Sequence, residues 1–131
     1  MAARLLVVED NPTNLSLMQY LLGTHGYTVL TAADGEEGVR AAIQQVPDVI
    51  LMDVQMPKLN GFEAAAQIRR VPSLSAVPIV AVTAFAMVGD RDEILARGFD
   101  GYIAKPIVPE TFVAQVEAFI PPPLRAPKRS P

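Results

Sequence analysis

Val49-Ile50-Leu51-Met52, followed by Asp53-Val54-Gln55-Met56-Pro57, is the stretch that decides the fold. Four consecutive apolar residues bounded by turn formers read as a strand buried on both faces. Strands of that kind belong to parallel sheets covered by helices on either side. The carboxylate of Asp53 at the end of such a strand is costly to desolvate unless something pairs with it. Asp53 must therefore reach solvent at the strand's edge, or other groups must converge on it.

The same alternation runs through the rest of the chain. Leu5-Leu6-Val7-Val8 reads as a first strand. Residues 12–24 read as a helix with Pro12 in the first turn, Asn11 as its cap, and a stripe of Leu15, Met18, Leu21 and Leu22. Tyr27-Thr28-Val29-Leu30-Thr31 is a β-branched second strand after the break at Gly26. Residues 35–46 predict a helix with Val39, Ala42, Ile43 and Val46 inward. After the strand 49–52, a short helix runs from Gly61 to about Arg70 and is closed by Pro72. Pro78 opens a fourth strand, Ile79-Val80-Ala81-Val82. A weaker, polar helix over 86–97 ends at Gly98, and Gly101-Tyr102-Ile103-Ala104 is the fifth strand. Pro109 starts the last helix, with Phe112, Val113, Val116, Phe119 and Ile120 as its stripe. Five strands alternating with five helices predict an α/β fold, a single doubly wound (βα)5 unit with a five-stranded parallel sheet.

With 131 residues there is room for one domain with a real core. The start, Met1-Ala2-Ala3-Arg4-Leu5, lacks a secretory layout, and no apolar run approaches a membrane span. Absence of cysteine excludes disulfides and thiolate metal sites and fits a cytoplasmic protein. The net charge of -3 hides an asymmetry. Residues 121–131 carry Arg125, Lys128 and Arg129 and no acid, which leaves the remaining chain eight basic to fourteen acidic residues, near -6. Such an acidic body is poorly suited to nucleic acid. The tail is proline-rich and poor in apolar residues, and it is expected to be extended or disordered beyond a domain spanning 1–120.

In open sheets of this class, ligands sit at the carboxyl ends of the strands. Strand one ends in Glu9-Asp10, strand three in Asp53, strand four in Thr83, and strand five near Lys105. These ends can gather on one edge. Clustered carboxylates repel one another, and a hard divalent cation such as Mg²⁺ relieves the repulsion with oxygen ligands. Lys105 adds a point charge and Thr83 a short hydroxyl. A metal, an ammonium and a hydroxyl around one carboxylate make a cradle for a tetrahedral dianion bonded to it, and carboxylates form aspartyl phosphates.

With Glu9-Asp10, the segment 52–57 with Gly61, Thr83-Ala84, Lys105-Pro106 and Tyr102 in order, the chain resembles a response-regulator receiver domain of two-component signalling over roughly residues 4–120. The stretch 81–90 is most similar to single-domain receivers of the DivK cell-cycle type and to receivers of hybrid kinases. The resemblance implies a flavodoxin-like sheet with strand order 2-1-3-4-5. It implies Asp53 as phosphoacceptor from a phosphohistidine on a histidine kinase or phosphotransfer protein. Asp10, Asp53 and the backbone carbonyl of Gln55 would hold Mg²⁺, with Glu9 reaching it through water. Lys105 and the backbone of Ala84 would bind the phosphoryl group, and the bond to Pro106 would be cis. Thr83 would swing toward the phosphoryl oxygen and Tyr102 would move inward, repacking a face of helix four, strand five and helix five. Signal would leave through a downstream protein target, with no direct nucleic acid and no membrane, from a monomer or weak homodimer. Gln55 and Phe85 flank the site where dephosphorylation is tuned. Met1 so close to strand one favours a stand-alone protein over a receiver cut from a hybrid kinase.

Each residue alone has a plainer reading. Glu9-Asp10 suits a solvated turn, Thr83 a cap, Lys105 a solvated surface, and Tyr102 a core tyrosine as readily as a switch. His25 follows helix one, where a cation suits the dipole, and reads as a surface or capping residue. Other functions fit less well. A haloacid-dehalogenase-type hydrolase needs an aspartate where Gln55 stands, so no external substrate turnover is expected. A nucleotide or flavin site needs a phosphate loop after strand one, where this chain has Glu9-Asp10-Asn11-Pro12. A phosphorylation-independent interaction module would not need these acids, the threonine and the lysine.

Overall fold

The computed structural model describes residues 2–56, 58–84 and 88–127, and within them the apolar runs pair into one parallel sheet. Its strands are β1 (Arg4–Val8), β2 (Thr28–Ala32), β3 (Val49–Met52), β4 (Ile79–Thr83) and β5 (Gly101–Ala104). They lie in the order β2-β1-β3-β4-β5, the doubly wound order expected. The connections carry α1 (Pro12–Thr24), α2 (Gly35–Gln45), α3 (Gly61–Arg69), α4 (Val88–Ala96) and α5 (Pro109–Glu117). Residues 86 and 87 of the expected fourth helix lie outside the described residues.

Strand parity divides the core in two, because successive side chains point to opposite faces. Leu6, Val8, Ile50, Met52, Ile79 and Ala81 face α2, α3 and α4, where Val39, Ala42, Ala65, Ile68 and Ile94 meet them. Leu5, Val7, Val49, Leu51, Val80 and Val82 face α1 and α5, against Met18, Leu22, Phe112, Val113 and Val116. All four residues of β3 are buried, as a central strand with helices on both sides requires. Asn11 caps α1 by accepting the Asn14 N–H at 3.1 Å. His25 closes α1, its Nδ1 lying 3.0 Å from the Leu21 carbonyl.

Helix α2 departs from its expected face. Val39 and Ala42 are buried, but Ile43 and Val46 are 47% and 43% exposed. The helix meets the sheet through Gly38, where a Cβ would stand 2.8 Å from the Val8 methyls. That close approach centres the contact on Gly38, Val39 and Ala42, and turns Ile43 to the rim. Val46 has left the helix altogether, as its cap in the left-handed region at φ 44°.

The tail also departs from expectation. Residues 121–127 fold back onto the domain, with a 3-10 turn at Pro122–Leu124. Leu124 and Ala126 pack on the α1–α5 side of the core. The Leu124 carbonyl accepts the Ala3 N–H at 2.8 Å, and the Tyr27 hydroxyl accepts the Ala126 N–H at 2.9 Å. Composition counted the prolines as chain that cannot build a core. Here their restricted backbone lowers the entropy lost on docking, and two small apolar contacts suffice. Lys128, Arg129 and the last two residues lie outside the described residues.

Two outcomes are expected. A β-branched residue at positive φ is strained, so Val46→Gly should raise the free energy of unfolding by about 0.5–1 kcal/mol in urea titrations. Burial, helped by the Glu117 carboxylate, pushes the Tyr27 phenol up to about 12. Its folded pKa exceeds the ordinary value of 10.0, so the stability it contributes is complete below that value and lost as pH rises toward 12. Unfolding midpoints across this alkaline range should show that component in the wild type and lack it in Tyr27→Phe.

Candidate functional site

Three of the sheet's four backbone ladders continue one residue past the strand, and that step sets the site. The Glu9 N–H donates to the Ala32 carbonyl at 3.0 Å, the Asp53 N–H to Val8 at 3.1 Å, and the Lys105 N–H to Thr83 at 2.9 Å. The ends of β1, β3, β4 and β5 are thereby held side by side on the carboxyl edge. The chain leaves β1 toward β2 on one side and meets β3 on the other, so the acids stand at the reversal of strand order.

The side chains converge. The Lys105 ammonium lies 2.7 Å from Glu9 Oε1 and 2.8 Å from Asp53 Oδ2. Glu9 Oε2 accepts the Asn11 N–H at 3.1 Å, and Asp53 Oδ1 accepts the Gln55 N–H at 3.0 Å. Glu9 and Asp53 are buried, while Asp10 is exposed at the rim. Burial raises the pKa of Glu9 above the ordinary carboxylate value, against the opposing contact with Lys105. Burial also opposes the charge on Lys105, but its hydrogen bonds to Asp53 and Glu9 outweigh this, and its pKa is raised.

The loop after Asp53 is shaped by α3. Asn60 caps that helix with a reciprocal capping box to Glu63. The Gly61 N–H donates to the Val54 carbonyl at 3.1 Å. A Cβ on Gly61 would stand 2.2 Å from the Asp53 carbonyl oxygen, so only glycine lets the helix start this near the acid.

The other expected residues fall around this centre. Thr83 is buried at the end of β4, Ala84 follows it exposed, and Gln55 is exposed beside Asp53. The Lys105–Pro106 peptide is cis, as the resemblance implied. Tyr102 is half-buried on β5, with the Arg91 guanidinium of α4 5.1 Å from its ring centre. That contact was not anticipated, because α4 reads in the sequence only as a weak, polar helix. Phe85 lies outside the described residues. His25 stands at the far end of α1, away from the acids, as a capping residue.

The residues present fit a hard divalent cation. Glu9, Asp10 and Asp53 each offer an oxygen, all within 4.8 Å of one another. Oε1 of Glu9 is buried against the Lys105 ammonium at 2.7 Å, and a carboxylate oxygen can accept more than one partner, so the cluster still has acceptor capacity for a cation.

Residues 5–117 match the family described as response regulator receiver domain. The chain is 38% identical over 118 residues to protein PilH of Pseudomonas aeruginosa, covering 90% of this chain and 98% of that protein. It is 35% identical over 120 residues to the polar-differentiation response regulator DivK of Brucella ovis, covering 92% and 98%. Among solved structures, the chemotaxis response regulator CheY4 of Vibrio cholerae superposes with TM-score 0.87 at 32% identity, covering 92% of this chain and all of that one. The receiver domain of a sensor histidine kinase from Pseudomonas aeruginosa, solved with a magnesium ion coordinated in its active-site cleft, superposes with TM-score 0.82 at 38% identity, covering 91% and 98%.

The closeness of α3 to the acid loop is testable. Gly61→Ala should lower unfolding stability by about 1–3 kcal/mol, because backbone rather than a flexible side chain must yield. Gly23→Ala in α1 meets nothing within 4 Å and should leave stability equal or higher. Equal urea midpoints for Gly61→Ala and wild type would contradict this reading of the loop.

Proposed function

As the chain belongs to the response regulator receiver domain family of two-component signalling, we propose that Asp53 accepts a phosphoryl group from a phosphohistidine. The observation that carries this reading is the contact of Lys105 with both Asp53 and Glu9 beside the acid cluster. A buried carboxylate with an ammonium on one oxygen and a backbone N–H on the other is held in a fixed orientation. Asp53 Oδ2 attacks phosphorus, the phosphorus–nitrogen bond breaks, and the donor imidazole leaves with the electron pair and takes a proton. Lys105 passes from the carboxylate to a phosphoryl oxygen, while the Gln55 N–H keeps Oδ1 oriented.

Asp10, Asp53 and the Gln55 carbonyl would hold Mg²⁺, with Glu9 behind them. When bound, that ion neutralises charge on the transferring group. Thr83 and the Ala84 N–H receive the remaining phosphoryl oxygens. Movement of Thr83 draws Tyr102 inward, away from Arg91, and alters the surface of α4, β5 and α5. The output is a change in affinity for a downstream protein, and the phosphodonor is a histidine kinase or phosphotransfer protein in the cytoplasm. Turnover is confined to the protein's own phosphorylation and dephosphorylation. The near-complete coverage of PilH and DivK supports a single-domain regulator, whereas the similar kinase receiver supports a module of a hybrid kinase as the second reading.

Incubation with Mg²⁺ and acetyl phosphate, followed by intact mass measurement, should show one phosphate adduct on the wild type and none on Asp53→Asn. Lys105→Ala should fold yet lose most of the adduct. An unmodified wild type with acetyl phosphate, phosphoramidate and a phosphohistidine donor alike would overturn the proposal.

A further inference from the structure

The segment Pro121–Pro127 lies beyond the residues that match the family, yet it is tied to the domain. The Ala3 N–H donates to the Leu124 carbonyl at 2.8 Å, and the Arg125 Nε donates to the Ile120 carbonyl at 2.9 Å. The Ala126 N–H donates to the Tyr27 hydroxyl at 2.9 Å, and that hydroxyl donates to Glu117 Oε2. One buried phenol thus joins the start of β2, the end of α5 and the returning segment. Ala3 precedes β1 and Tyr27 precedes β2, so these ties sit at the amino edge of the sheet, opposite the acids.

The two ends of α5 are held differently. At its C-terminal end, Phe119 packs so tightly on β5 that a Cβ on Gly101 would stand 2.3 Å from the ring. Ile120 is wholly buried there. The first turn begins at exposed Pro109, and Val108 supplies no side-chain cap bond. On neighbouring α4, Ile94 is the buried side chain among the described residues. Pro109, Glu110 and Thr111 are exposed ahead of buried Phe112, so α5 is held throughout from Phe112 to where the segment returns and is loosest over its first three residues, near Lys105.

We propose that Pro121–Pro127 is a strap, latched by the Tyr27 hydroxyl, that pins the C-terminal half of α5 and confines the response at Asp53 to α4, β5 and the first turn of α5. This rests on the phosphoacceptor reading above. A partner sensing the response would meet its altered surface near Val108 and Tyr102, while the Glu117 end of α5 stays constant.

Hydrogen–deuterium exchange on the full chain tests this, in wild type and Tyr27→Phe, with and without Mg²⁺ and beryllofluoride, a phosphoryl analogue. Without the analogue, the Ala3 and Ala126 amides should be protected in the wild type. Ala126 should exchange about tenfold faster in Tyr27→Phe, the loss expected for one buried hydrogen bond. With the analogue, wild-type exchange should change in α4, β5 and residues 109–112 but not in 116–120. In Tyr27→Phe the change should spread to 116–120. Equal Ala126 exchange in both proteins, or a wild-type change reaching 116–120, would overturn the strap. If the analogue alters nothing anywhere in the wild type, the phosphoacceptor reading fails and confinement falls with it, while the latch is still judged by Ala126. Should Tyr27→Phe unfold, Glu117→Ala removes the hydroxyl's tie to α5 without touching the ring: the analogue-induced change should then spread to 116–120, and its absence there would overturn the strap.

Discussion

The ammonium of Lys105 stands between Glu9 and Asp53, 2.7 and 2.8 Å from their oxygens, and the carboxyl edge of the sheet depends on it. Two buried carboxylates at the ends of apolar strands would be costly to desolvate if left unpaired. Placed around one cation, they can stay close together and keep oxygen atoms turned outward. The cost of such a cluster is supported by the sheet itself, whose β1, β3 and β4 are almost entirely buried and fix the backbone beneath Glu9 and Asp53. Ladder bonds from Glu9, Asp53 and Lys105 to neighbouring strands leave only the side chains free to respond.

The amino edge is built on the opposite plan. There polar groups close the fold rather than gather for chemistry. Asp100 Oδ2 accepts both from Arg69, at 2.6 Å, and from the Ile79 N–H, at 2.8 Å, joining α3 to the starts of β4 and β5. The Arg4 N–H donates to Asp48 at 2.8 Å. The Tyr27 hydroxyl binds α5 and the returning segment. Under the proposed function, a domain closed at one edge and charged at the other would respond beside the acids, on α4 and the start of α5.

The sequence made much of this legible where local and global preferences agree. The apolar run 49–52 could only be a central strand, and parity then sorted the remaining strands into two faces. Glu9-Asp10, Asp53, Thr83 and Lys105 stood out because each directly follows an apolar run, and the edge of a parallel sheet brings such positions together. Reading failed where a face depends on distance rather than period. Ile43 follows the helical spacing of α2, but the contact of Gly38 with Val8 rotates the buried arc away from it, and Val46 leaves the helix as its left-handed cap. Arg91 over Tyr102 carries no signal in the chain, because an arginine on a polar helix looks the same whether it meets solvent or a ring. The return of residues 121–127 was not readable from composition, which counts apolar residues but not the receptors waiting for them.

By itself, the sequence determined the parallel α/β architecture, the order of its elements and the set of polar residues at its strand ends. It could do so because period and charge placement are properties of the chain alone. Tertiary structure decided which oxygens meet Lys105, how near α3 stands to Asp53, and that residues 121–127 return to Tyr27. Those outcomes depend on ångström-scale approach between segments far apart in the chain, and no local pattern encodes a distance of that kind.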